Sequence, residues 1–303
     1  MSSVPPSTLH RSLELAGTLP ALMVAADRVA ATVIQGVHGR RRVGQGDAFW
    51  QYRPYRDGDS ANQIDWRQSA RSRHLFVRET EWEAAASVWL WRDSSPSMQY
   101  ASLKNIDTKA VRAELITLAL ASLLADAGER VTVLGSGMRP TSGRIAVRRI
   151  AETLFEEARQ SAEGGKTPPS MPPLLPLPAH GTVVLVSDWL DPLDNIEAMI
   201  RHYASGGVRG HLVQVLDPAE EDLPFDGHVK FEGLEAEGQH TIRRVEGVRQ
   251  AYGARLAAQK EGLQRLTRST DWTVHLHRTD RSPQTVLLSL YLAMADLRRL
   301  TAA

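Results

Sequence analysis

The chain has 303 residues, 42% hydrophobic and 23% charged, with a formal net charge of +1 and no cysteine. That length holds one large α/β domain with a subdomain, or two ordinary domains, and the balance excludes disordered and collagen-like classes. The lack of cysteine excludes disulfides, Cys-ligated zinc, iron–sulfur clusters and thiol nucleophiles, while a net charge near zero argues against a whole-chain nucleic-acid binder.

In chain order, residues 11–35 carry a helical pattern, with a break at Pro20 and a stop at Gly36. The apolar run 15–26 is too short to span a bilayer and is bracketed by Glu14 and Asp27, and the residues before it offer no signal-peptide cleavage site. No membrane span and a cytoplasmic location are therefore expected. Residues 37–86 are rich in Arg, Gly and aromatics, lack helical periodicity and read as short strands and turns around Asp57-Gly58-Asp59. From Gly36 to Arg78 nine arginines stand against four aspartates, a local excess of +5 suited to an acidic surface.

Beyond residue 86 strands alternate with helices, the rhythm of βαβ units and a mainly parallel sheet. Strands are expected at 85–91, 130–135, 182–187, 210–216 and 273–277. Helices are expected at 107–127 (ended by Gly128), 145–161, 195–204, 244–267 and 283–300, and the Pro-rich stretch 167–178 reads as an extended linker. Three parts follow: a helical arm at 1–35, a small β-rich subdomain at 36–86 and an α/β domain at 87–303.

The sharpest chemical signal is an apolar strand running into Asp93-Ser94-Ser95-Pro96-Ser97. One carboxylate and two hydroxyls on a tight loop are hard oxygen donors suited to magnesium, manganese or calcium. A second strand ends at Asp188; if the two strands are neighbours, both carboxylates emerge on one sheet edge, where a cation would relieve their repulsion. The motif alone is equally compatible with helix capping by Asp93, Ser95 and Asp188, and Pro96 suits a first helical turn.

Residues Arg53, Tyr55, Gly58, Asp59, Ile64, Asp65, Trp66, Ala70, Arg71 and Leu75, followed by Asp93-x-Ser95-x-Ser97-Met98, resemble the signature of the domain-of-unknown-function 58 family. The likeness extends through Leu185-Val186-Ser187-Asp188 and Leu216-Asp217-Pro218, over roughly residues 36–300. It implies a von Willebrand factor A-like (Rossmann-like) parallel sheet flanked by helices, with a metal-ion-dependent adhesion site. The site would be formed by Asp93, Ser95, Ser97, Thr167 (with Thr141 a lesser substitute) and Asp188, holding Mg2+ most readily, or Mn2+ or Ca2+. Thr167 departs from the pattern, because Pro168-Pro169 follow where a helical turn belongs. Members of this family are commonly paired with a MoxR-type AAA+ ATPase. The implied function is thus a non-enzymatic adaptor or assembly factor for protein maturation or remodelling, docking the ATPase and a client protein, with no nucleic acid involved. The alternatives are a metal-dependent hydrolase or phosphotransferase with Asp93 as nucleophile, and a structural domain with a degenerate site.

Other residues read as structural. Asp59, Asp65, Trp66 and Arg71 suit the anchoring of a turn, Trp82, Trp89 and Trp91 suit a core, and Gly135-Ser136-Gly137 and Gly206-Gly207 suit turns. His275 and His277 share a strand face without a further ligand in sequence, and Arg40-Arg41-Arg42 suits a solvated face.

Overall fold

The computed structural model describes residues 23–34, 49–55, 64–72, 74–80, 86–164, 167–234 and 238–301. Residues 41–85 form one unit, and the rest of the chain a second. In the smaller unit, strands β1 (Phe49–Pro54) and β2 (Phe76–Thr80) pair antiparallel. A single turn of helix, α2 (Trp66–Ser69), lies between them in sequence. The Asp65 N–H donates to the Phe76 carbonyl at 2.9 Å, and the Phe76 N–H to Ser69 Oγ at 2.9 Å, so the turn is stitched to the strand. The expected turn at Asp57-Gly58-Asp59, Trp82 and the Arg40–Arg42 run lie outside the described residues.

The larger unit is a mixed α/β fold. Helix α1 (23–34) precedes the sheet strands β3 (Ser87–Arg92), β4 (Arg130–Val133), β5 (Thr182–Ser187) and β6 (Arg209–Leu216). The helices between them are α3 (Lys109–Asp126), α4 (Arg144–Gly164) and α5 (Leu193–Ser205). After β6 come α6 (Pro218–Asp222), an antiparallel hairpin of β7 (Val229–Glu232) and β8 (Gln239–Ile242), then α7 (Glu246–Arg268), β9 (Thr273–Arg278) and α8 (Pro283–Thr301). Five parallel strands form the sheet in the order β4-β3-β5-β6-β9. α6 and the β7-β8 hairpin carry too little periodicity to be read from sequence, being only four or five residues each.

Both faces of the sheet are covered, which is why its central strands are mostly apolar on both faces. Val88, Leu90, Val184, Val186, Val213 and Val215 pack under α1, α3, α4 and α8. Trp89, Trp91, Val183, Leu185 and Leu212 turn to the opposite face with α5 and α7. Helix α3 is buried nearly all round, as an apolar helix must be. It ends in a Schellman turn: Gly128, at φ +83°, donates to the Ala125 carbonyl and Glu129 to that of Leu124.

The Pro-rich stretch 167–178 is extended, as its composition dictates, but it is packed instead of free. Met171 and Leu177 lie against the second core, and Tyr203 donates its hydroxyl to the Pro173 carbonyl at 2.5 Å. The Tyr203 ring stacks on Trp272 with centroids 6.4 Å apart. Trp272 in turn lies on bare backbone, because a Cβ at Gly210 would fall 2.2 Å from its ring. Among the described residues no helix is long and apolar enough to cross a membrane.

His275 and His277 share the expected strand, β9, and both are buried. His275 is hydrogen-bonded on both ring nitrogens, to Ser289 Oγ and Thr273 Oγ1, each at 2.9 Å, and Thr273 also meets His211 Nδ1 at 2.7 Å. Burial pulls His211 down to about 3, helped by His275 and Arg209, and it pulls His275 and His277 down to about 4.

Two outcomes follow. Gly210→Ala forces the new methyl into Trp272 and should cost about 1–3 kcal/mol, read as a lower urea midpoint at unchanged slope. The depressed histidines leave the unfolded chain binding more protons below its histidine pKa of about 6.5, so their stabilisation is complete above that pH and is lost as pH falls toward about 4. Melting temperature should therefore decline over that window, and His211→Gln should flatten the decline; an unchanged slope would count against the buried network.

Candidate functional site

Strand β4 adds on one side of β3, whereas β5, β6 and β9 add on the other. The winding reverses between β3 and β5, and such a switch point opens a crevice at the carboxyl ends of the strands. Each of three adjacent strands runs straight into an aspartate there: β3 into Asp93, β5 into Asp188 and β6 into Asp217, all buried.

Asp93 is held from two sides. Its N–H continues the β3-β5 ladder to the Val186 carbonyl at 2.8 Å, Oδ1 accepts from the Ser95 N–H at 2.7 Å and Oδ2 accepts from the Ser187 hydroxyl at 2.8 Å. The first of these side-chain bonds closes an Asx turn, the local reason an Asp leads this loop. Pro96 then starts a 3-10 turn, Pro96–Gln99, which Ser95 precedes without making a side-chain cap. The Ser95 hydroxyl instead meets that of Ser97 at 3.0 Å. Burial pushes the Asp93 carboxyl up to about 6 against the lowering bonds from Ser95 and Ser187, and the charge of Asp188 adds to the rise.

Asp188 likewise caps no helix: α5 begins after Pro192, without a side-chain cap. Its Oδ2 accepts from Lys109 Nζ at 2.8 Å, and its backbone carbonyl from Gln214 Nε2 at 2.8 Å. The next residue, Trp189, is fully buried at φ +51°, an unusual backbone state for a large side chain. Its N–H donates to Ser187 Oγ at 3.3 Å and its indole to the Val213 carbonyl at 3.1 Å, which over-determines the conformation.

Asp217 does cap its helix. Its Oδ1 accepts from Ala219 N–H at 2.8 Å, and Glu220 Oε2 accepts from the Asp217 N–H at 2.8 Å, a reciprocal capping box at the start of α6. Asp217 Oδ2 also accepts from the Ser102 N–H at 2.9 Å, pinning the loop between the Ser-rich motif and α3.

Lys109 joins these parts. It is the first residue of α3, only 1% exposed, and its Nζ reaches Glu220 Oε1 at 2.5 Å as well as Asp188. Burial alone would lower its pKa, but the charges of Asp188 and Glu220 outweigh that and raise it. Glu220 also shifts upward, since burial outweighs its share of the single ammonium. Tyr252 donates its hydroxyl to the Glu220 carbonyl at 2.5 Å, and burial with the Glu220 charge pushes that phenol up to about 12.

Of the five residues expected from sequence, Asp93, Ser95, Ser97 and Asp188 stand at the carboxyl edges of neighbouring strands. Thr167 is exposed, and no hydrogen bond among the described residues joins it to the other four. Three residues on, Ser170 donates to Asp191 Oδ1 at 2.9 Å, three residues beyond Asp188. Thr141, its substitute, forms a bridge with Val131 on the edge strand. Sequence reasoning missed Lys109 and Glu220, and placed Ser187 and Asp217 only within the family likeness. An aspartate directly after every central strand was the available signal.

Asp93, Ser95 and Ser97 supply oxygen donors of the hard type. The Ser95 and Ser97 hydroxyl oxygens are hydrogen-bonded to one another at 3.0 Å, a separation that ligands at adjacent octahedral positions about 2.1 Å from magnesium would also have. Lys109 is shared by two of the nearby carboxylates, Asp188 and Glu220, whereas Asp93 and Asp217 are held by hydroxyl and amide donors. Among the described residues no three His, Asp or Glu side chains converge as a ligand set, so a cation would rest mainly on hydroxyls.

Removing the capping carboxylate in Asp217→Ala should cost about 1–2 kcal/mol, and the loss of the Ser102 tether should expose the loop at residues 100–108. Both are readable by urea titration and amide hydrogen exchange, and unchanged exchange at Ser102 would refute the tether.

Uncharacterised proteins of Mycobacterium tuberculosis (strain H37Rv) and Mycobacterium bovis are 25% identical to this chain over 291 residues, covering 91% of it and 90% of each relative. No solved structure matches it. The family described as protein of unknown function DUF58 matches residues 51–262, and on that match the chain belongs to this family.

Proposed function

We propose that this protein is a non-enzymatic adaptor or assembly factor that docks a protein partner through a divalent cation held at the carboxyl edge of its sheet. The single observation that carries this reading is the pair of hydroxyls, Ser95 and Ser97, set 3.0 Å apart in front of the buried Asp93 at the winding reversal. In this reading the fold is von Willebrand factor A-like. Ser95 and Ser97 touch the cation and Asp93 and Asp188 act through water; Thr167, the fifth residue of the implied set, is exposed on the Pro-rich segment and would have to be brought to it. Mostly neutral ligands leave the cation under-neutralised, and a Glu or Asp of the partner completes its shell. Magnesium is the metal this chemistry favours, with manganese or calcium as substitutes.

The partner suggested by the family resemblance is a MoxR-type AAA+ ATPase, with a client protein remodelled by the pair. A phosphotransferase using Asp93 as nucleophile is the alternative; the full burial of that side chain weighs against it, since a nucleophile must be reached by its substrate.

Surface plasmon resonance against such an ATPase tests the proposal. Binding should vanish in chelator, dissociate faster in Ser97→Ala and associate more slowly in a triple Arg40→Ala, Arg41→Ala, Arg42→Ala variant. Raised salt should slow association without abolishing coordination, because steering by surface charge fades as the Debye length shrinks to about 3 Å near 1 M. Binding indifferent to chelator and to Ser97→Ala would defeat the docking mechanism.

A further inference from the structure

Lys109 stands where local rules disfavour it. A lysine at the first position of a helix faces the positive end of the helix dipole, and a buried ammonium is costly unless carboxylates surround it. Here that cost is met by tertiary partners alone: Asp188 from the end of β5 and Glu220 from α6. The ammonium leaves Asp188 half engaged. Oδ2 takes the short bond from Lys109, whereas among the described residues Oδ1 accepts only the Leu190 N–H at 3.3 Å, beyond the usual range for such a bond. One oxygen of Asp188 is therefore committed to a fixed positive charge, and the other retains capacity for a further donor.

Resting on the reading that Asp93, Ser95 and Ser97 hold a divalent cation, the geometry points to Lys109 as a tethered counter-ion that shares Asp188 with that exchangeable cation and sets how tightly the cation is held. Without metal, the ammonium holds Asp188 and Glu220 together against their mutual repulsion. With metal, the same fixed charge lies close by and weakens its binding, so the cation stays exchangeable and open to a partner's carboxylate. Lys109 is a positioning residue here, acting on the metal through Asp188 and through its own charge.

The experiment uses the full chain as wild type, Lys109→Met and Glu220→Gln at constant ionic strength. Mn2+ affinity is read by the electron paramagnetic resonance signal of free Mn2+, and melting is followed in chelator and in saturating Mn2+. Lys109→Met should bind Mn2+ at least about tenfold more tightly, as expected for removing a neighbouring unit charge from a poorly solvated site. It should melt below wild type in chelator and regain most of that difference in Mn2+. A purely structural lysine would lower melting equally in both conditions and leave the affinity unchanged; that result overturns the inference while Mn2+ binding by wild type leaves the cation site standing. Absence of Mn2+ binding in wild type and variant alike overturns both. If Lys109→Met does not fold, Glu220→Gln decides: it leaves the ammonium with one carboxylate fewer, so Mn2+ affinity should fall severalfold, and unchanged or tighter binding overturns the inference.

Discussion

Repulsion among buried carboxylates at one end of a parallel sheet is the constraint on which the rest of this molecule depends. Strands β3, β5 and β6 lie side by side and run in the same direction, so the residue after each must emerge on the same edge. All three of those residues are aspartates, and all are withdrawn from solvent. Each is stabilised differently: Asp93 by a backbone amide and the Ser187 hydroxyl, Asp188 by the Lys109 ammonium, Asp217 by the first turn of α6 and the Ser102 amide. Ser187 connects the first two, because its oxygen accepts from Trp189 while its proton goes to Asp93.

The same constraint gives helix α3 a double role. Its body is apolar on nearly every side and fills the space between the sheet and its neighbouring helices. Its first residue carries the ammonium that the strand ends require. The position of Lys109 is thus set by the packing of the helix behind it, and hydrophobic burial far from the edge fixes the electrostatics at the edge. On the other face, the Pro-rich segment performs a comparable task. It is fastened by Tyr203 and by the Ser170–Asp191 bond, which brings the chain near Thr167 to the edge that holds Asp188.

Several local preferences are broken around this edge. Trp189 takes a backbone conformation that large side chains avoid, Lys109 faces the wrong end of a helix dipole, Ser95 forgoes the cap its position offers, and Gln214 leaves its buried Oε1 without a partner among the described residues. Such departures persist where the surroundings over-determine them.

The sequence by itself determined the layout of the α/β unit. Its central strands are mostly apolar on both faces because both sheet faces are covered, and its longer helices have clear starts and stops. The run 182–187 and the ending of α3 at Gly128 were therefore legible without coordinates. Short-range chemistry was legible too: Asp93, Ser95 and Ser97 lie within five residues, and a tight turn brings such neighbours together whatever the fold around them. What only the tertiary structure decided is everything that crosses the sheet edge. Lys109 lies 79 positions from Asp188 and 111 from Glu220. Ser187 lies 94 positions from Asp93, and Ser102 lies 115 from Asp217. Those pairings follow from strand order, which depends on how the helices pack on two faces and leaves no periodic trace in the chain. The Pro-rich segment shows the same division, since proline dictated that it be extended and only the core beneath it dictated that it be bound.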